Sequence, residues 1–168
     1  MKRHCFPRKS LSLPGVLIGV ALLFAISASA QSPSIEGTYQ FISRQLPDGT
    51  MLKPPDIMGI CTYSKSHRTF NTVRRDASGE FSSTSLVSTY KLTTIEYSET
   101  LLFSIRNNIG GKGIVYDLLG KTQSVPVNIE GGRIQFRMPL ERPTVTFEGN
   151  KIIATVEGGF VDLWERVQ

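Results

Sequence analysis

Cys61 and His67 lie six positions apart, and theirs is the one spacing in this chain that could arm a nucleophile. A thiol beside an imidazole base supports acyl transfer. Ser64-Lys65-Ser66 between them reads as a hairpin turn, so the two side chains could face each other as a cross-strand pair. Two things weigh against the pair. No third group is placed to orient the imidazole, and no oxyanion site is visible. The alternative is a small buried thiol beside a polar histidine at a strand edge. Only Lys65 and His67 stand close enough in sequence to lower the thiol pKa. No catalytic residue is assigned on this basis.

Other chemistry is scarce. The remaining histidine and cysteine, His4 and Cys5, fall in the first thirty residues. One His and one Cys beyond that point cannot build a His-rich or thiolate metal site. There is no Gly-x-Ser-x-Gly elbow and no phosphate loop. Gly110-Gly111-Lys112-Gly113 is rich in glycine but lacks a strand–loop–helix setting, and it reads as a hairpin connection. Glu157, Asp162 and Glu165 alternate with apolar residues. They read as solvated faces, and neither a glycosidase pair nor a calcium loop follows from them. No metal and no cofactor is expected.

The elements that must position any site begin after a leader. Lys2, Arg3, Arg8 and Lys9 supply a basic start, Val16–Ile26 is an uncharged apolar run, and Ala28-Ser29-Ala30 is a small-x-small cleavage pattern. This predicts a signal peptide over Met1–Ala30, an exported product (periplasmic or secreted), and one domain over residues 31–168. The apolar run is too short for a spanning helix, which needs roughly 20 residues. No stable membrane anchor is therefore expected. The leader carries four of the 19 Lys and Arg and none of the 14 Asp and Glu, so 15 basic residues face 14 acidic ones in the product. A nucleic-acid partner loses its electrostatic argument with that segment. Cys61 alone remains, so an intramolecular disulfide is excluded.

From Gly37 onward the apolar period is two. Leu101, Phe103 and Ile105 alternate with Leu102, Ser104 and Arg106, and Ile134, Phe136 and Met138 alternate with Gln135 and Arg137. Such segments predict strands near 38–46, 50–53, 57–64, 67–73, 86–96, 100–107, 113–119, 123–129, 133–138, 144–148, 151–157 and 160–167. Turns at Pro47-Asp48-Gly49, Glu130-Gly131-Gly132 and Gly149-Asn150 separate them. Residues 76–85 are small and polar and read as a loop, and a short helical turn could sit around 33–36. An all-β chain of consecutive hairpins has two solutions, an up-and-down barrel or an open two-sheet sandwich. About eight strands close into a barrel that is filled or holds one small ligand.

Three short motifs tip the reading to the barrel. Gly37-Thr38-Tyr39 resembles the Gly-x-Trp opening of lipocalins. Gly59-Ile60-Cys61-Thr62-Tyr63-Ser64 is similar to the second strand of bacterial lipocalin-like domains. The ending Leu163-Trp164-Glu165-Arg166-Val167 is similar to that family's closing strand, and Asp48-Gly49 sits at its early turn. Residues 76–113 match little, and Ser64-Lys65-Ser66 replaces a common Pro-Asp-Gly. The resemblance implies a single antiparallel up-and-down β-barrel of lipocalin-like form. It also implies that Tyr39 plugs one end with Arg166 packed over it, a cation–π contact of roughly 0.5–2 kcal/mol. Otherwise Tyr39 is a core aromatic and Arg166 a solvated charge.

Inward faces of such a barrel would carry Phe41 or Tyr39, Tyr63, Phe103, Phe136, Phe147 and Trp164. Phe41, Tyr63, Phe103, Phe136 and Phe147, with Tyr90 and Arg106 as polar anchors, are the candidate ligand-binding residues. The expected function is binding of a small hydrophobic molecule or lipid, which requires an interior void of roughly 300 Å³ or more. A filled barrel acting as a cell-envelope interaction module is the alternative, and an isomerase-type enzyme acting on a hydrophobic substrate is a third. The oligomeric state is left open.

Overall fold

The computed structural model describes residues 33–167. The signal peptide expected over Met1–Ala30 lies outside the described residues. Thirteen strands follow in order: β1 (Gly37–Gln45), β2 (Met51–Leu52), β3 (Ile57–Tyr63), β4 (His67–Arg75), β5 (Phe81–Leu92), β6 (Glu96–Asn107), β7 (Ile114–Asp117), β8 (Thr122–Pro126), β9 (Asn128–Glu130), β10 (Arg133–Arg137), β11 (Thr144–Glu148), β12 (Lys151–Val156) and β13 (Phe160–Arg166). A single turn of 3-10 helix, Ile109–Gly111, joins β6 to β7. No helical turn forms at residues 33–36.

All pairs are antiparallel, and one sheet runs β7-β6-β5-β4-β3-β1-β13-β12-β11-β10-β9. The first and last long strands meet, β1 against β13, with Tyr39 opposite Arg166 and Phe41 opposite Trp164. At the far side, β8 pairs with β6 and β9 pairs with β10. Only Val127 separates β8 from β9, and its N–H donates to the Ile95 carbonyl at 2.9 Å. Residues 122–130 therefore tie the two outer regions of the sheet together, and the sheet curls into a barrel-like form with an inside and an outside.

Alternation sets most of the inside. In β10, Ile134 and Phe136 are buried while Arg133, Gln135 and Arg137 are exposed. In β3, Ile57, Cys61 and Tyr63 are buried. Two bulges break the period. Leu101 opposes Ser88 and Phe103 opposes Val87, which leaves Leu102 as the extra residue in β6. A bulge shifts every later side chain to the other face. Leu101 and Ser104 therefore point inward, whereas Phe103 is exposed, against the expectation that Leu101, Phe103 and Ile105 share the inner face. A second bulge in β1 falls between Phe41 and Ser43 and brings Phe41 and Arg44 to the same side.

The polar stretch at 76–85 also differs from the expected loop. Only residues 77–79 form a turn, and β5 begins at Phe81. Ser82–Ser85 are paired on one flank by β4, and Ser83–Ser85 on the other by β6, so their backbone groups are satisfied in the ladder. Ser82, Ser83 and Thr84 bring small hydroxyl side chains to an inner wall that is not fully packed.

One end of the interior is solid. Tyr97 stacks on Phe136 with centroids 4.2 Å apart, and Phe136 on Phe147 at 5.8 Å. Tyr63 meets Phe147 edge-on at 5.3 Å, and Tyr39 meets both rings. Arg166 closes this end. Its guanidinium lies 5.3 Å from the Tyr39 ring centroid, and Nη2 donates to the Tyr39 hydroxyl at 2.9 Å and to the Glu36 carbonyl at 2.6 Å.

Candidate functional site

The other end is hollow. A cavity of about 530 Å³ is walled by Phe41, Phe70, Leu86, Leu101 and Trp164, with Thr84, Ser104 and Arg106 among its polar lining. A smaller chamber of about 100 Å³ adjoins it, lined by Cys61, Tyr63, Arg68 and Met138. The two share Phe70, Trp164, Glu141 and the Arg44–Asp162 pair as lining.

Trp164 is the centre of this wall. Its ring meets Phe41 edge-on at 5.2 Å and Phe70 at 5.6 Å. Gly59 makes room for it, since a Cβ there would stand 2.7 Å from the indole and 2.9 Å from the Thr72 methyl. Glycine in a strand interior is otherwise unfavourable, so this one marks a close approach.

Two ion clusters are built into the interior. Arg44 holds Asp162 with two parallel bonds, Nε to Oδ1 at 2.6 Å and Nη2 to Oδ2 at 2.7 Å, and its guanidinium lies 3.6 Å from the Phe160 ring centroid. Asp162 is buried, which corrects the reading of this carboxylate as part of a solvated face; Glu157 is exposed as expected. Burial pushes the Asp162 carboxyl above its ordinary value against the pull of Arg44.

The second cluster is deeper. Arg68 is 3% exposed and Glu99 1%. Arg68 Nη1 donates to Glu99 Oε1 at 3.0 Å and to Glu141 Oε1 at 2.6 Å. Ser88 donates to the same Glu99 oxygen at 2.5 Å, and the Tyr97 hydroxyl donates to Oε2 at 3.2 Å. Three side chains thus donate to Glu99, two to Oε1 and one to Oε2. Burial works against the Arg68 charge, but Glu141, Tyr63 and Glu99 outweigh it and hold the guanidinium charged. Arg68 Nε is buried without a partner.

The expected site residues fall into three groups. Phe41 and Arg106 line the large cavity, and Tyr63 lines the small chamber. Phe136 and Phe147 belong to the solid aromatic end. Tyr90 stacks on Tyr97 there at 5.7 Å and donates its hydroxyl to the Ser64 carbonyl at 2.5 Å. Phe103 stands on the outer face, moved there by the β6 bulge.

Cys61 and His67 are not brought together. The turn at 64–66 sets Tyr63 opposite Arg68 and Cys61 opposite Phe70. Cys61 is buried, with burial pushing its thiol up. His67 is exposed, and its Nδ1 lies 2.9 Å from the Ser66 hydroxyl. No acyl-transfer pair exists here.

Sequence reasoning does not single out Arg68, Glu99, Ser88, Arg44 and Asp162 as interior groups. A signal for three of them is nevertheless present. Arg68 shares strand parity with Phe70, Glu99 stands between Tyr97 and Leu101, and Asp162 shares parity with Trp164. A charge at an apolar position of an alternating strand points into the core and needs a partner there. Compared with protein-family models, with curated proteins and with solved structures, the chain matches none.

Proposed function

We propose that this chain is an exported, lipocalin-like protein that holds a small hydrophobic ligand inside its curled sheet. The observation that carries this reading is the cavity of about 530 Å³ walled by Phe41, Phe70, Leu86, Leu101 and Trp164. Its size falls in the range of small-molecule sites, and its lining sets these apolar side chains beside hydroxyl and charged ones such as Thr84, Ser104 and Arg106. The packing of Arg166 over Tyr39 supports the lipocalin-like reading, because the motif resemblance implied that contact. The leader over Met1–Ala30 supports export. Glu99 has its oxygens occupied by three donors, which favours a structural role for the inner cluster over proton transfer.

Trp164 is the only tryptophan, so its fluorescence reports on the cavity wall directly. Titration with a hydrophobic ligand should change its emission saturably, and native mass spectrometry should detect a bound small molecule. A Leu101→Phe substitution should narrow the void and weaken binding severalfold, with the fold retained by circular dichroism. Unaltered emission and no retained mass would defeat the reading.

The envelope-module alternative has one observation in its favour. Ile114, Tyr116, Leu118 and Leu119 are each at least 60% exposed along and just after β7, a short outer strand of the sheet. A contiguous exposed apolar run is the usual mark of a protein contact.

A further inference from the structure

Three arginines line the large cavity without an acidic partner: Arg74 from β4, Arg106 from β6 and Arg142 from the β10–β11 connection. No ion pair or side-chain hydrogen bond engages any of them among the described residues. All three are exposed, so they stand where the cavity meets solvent.

Register brings two of them to neighbouring positions, and Arg142 lines the same cavity. Arg74 lies opposite Ser82, and Arg106 lies opposite Thr84, so the two flank β5 at positions two residues apart. Every acid of the cavity lining is already engaged. Asp162 is held by Arg44 and Glu141 by Arg68. Asp117 accepts the Leu119 N–H and lies 3.9 Å from Lys121. Like charges gathered at a concave, apolar-walled opening focus a positive potential toward an incoming anion.

We infer that the ligand is an amphipathic oxyanion, its acid group held by Arg74, Arg106 and Arg142 and its apolar chain packed against Phe41 and Trp164. This rests on the ligand-binding reading above and adds the chemical class. Guanidinium groups bind carboxylate, sulfate or phosphate oxygens through paired, charge-assisted hydrogen bonds. An apolar wall below them selects a tail. A neutral hydrophobe would use the wall and leave the arginines unpaired.

The test is titration of Trp164 emission in the purified protein with dodecanoate, dodecanol and dodecylamine, each below its aggregation limit. Dodecanoate should bind about tenfold or more tighter than the alcohol, and the amine weakest. Raising salt should weaken the acid and spare the alcohol. Arg106→Gln and Arg74→Gln should lower affinity for the acid severalfold and leave the alcohol unchanged. Arg137→Gln, on the outer face of β10, should change neither. Equal affinity for acid and alcohol overturns the inference and leaves the binding reading standing. No response to any probe overturns both. Co-sedimentation with anionic vesicles, without saturable binding of monomeric dodecanoate, would instead assign the arginines to a membrane surface and also overturn it.

Discussion

At the scale of the residue, the interior is decided by where charges go. Arg68 and Glu99 are buried like core aliphatic side chains, and each offsets the cost of leaving water through named partners, with only Arg68 Nε left without one. Removing one partner of a buried pair strands the other. Arg68→Met should therefore destabilise the fold by about 3–5 kcal/mol, measured by chemical denaturation. Adding Glu99→Gln to that variant should recover part of the loss, because the stranded charge disappears. Arg166→Met removes a cation–π contact and two hydrogen bonds at the plugged end. It should cost about 1–2 kcal/mol, and an unchanged melting temperature would show that the contact is slack.

The buried phenols set a pH limit. Burial pushes Tyr63 and Tyr97 well above their ordinary value, and Tyr90 from 10.0 to about 12. The fold favours the protonated phenol. Its contribution is whole below pH 10 and is lost as pH rises through the folded values. The protein should stay folded through neutral pH and lose stability steeply above pH 10, with the tyrosinate absorbance of Tyr63 and Tyr97 appearing together with unfolding. Titration of Tyr63 and Tyr97 near pH 10 in the folded state would contradict the burial.

At the scale of the element, alternation makes most strands legible from the order of residues alone. β3, β10, β11 and β13 lie within a residue of their expected bounds. Turn glycines such as Gly131 and Gly149, at φ 58° and 59°, punctuate them as the residue types require. What alternation cannot give is the bulge at Leu102. Leu101-Leu102-Phe103 is apolar in either phase, so only pairing with Val87 and Ser88 on β5 decides which ring faces out. The inward expectation for Phe103 fails for that reason. Gly59 shows the converse, a strand residue explained by the element across from it. Gly59→Ala should force Trp164 or Thr72 to move and cost about 1–3 kcal/mol, with a shift in Trp164 emission as the direct readout.

At the scale of the whole molecule, the curled sheet sorts its interior into a solid half and a hollow half. Aromatic rings from β1, β3, β5, β6, β10 and β11 fill one end. Small side chains of β5 and the long arginines leave the other open. This division carries the ligand-binding proposal.

The sequence by itself determined the all-β character, the hairpin succession and most strand bounds, since these rest on period-two patterning and on local turn chemistry. It also narrowed the chemistry to one cysteine and one histidine beyond residue 30. The tertiary structure decided that those two never meet, because a shift of register is invisible to composition. It alone decided that Arg44 reaches Asp162 across 118 positions and Arg68 reaches Glu99 across 31. It alone placed Arg74, Arg106 and Arg142 around one opening. Those contacts are long-range, and their partners are chosen by which strands pair and in what register, as Arg44 opposite Asp162 shows, rather than by what stands next to them in the chain.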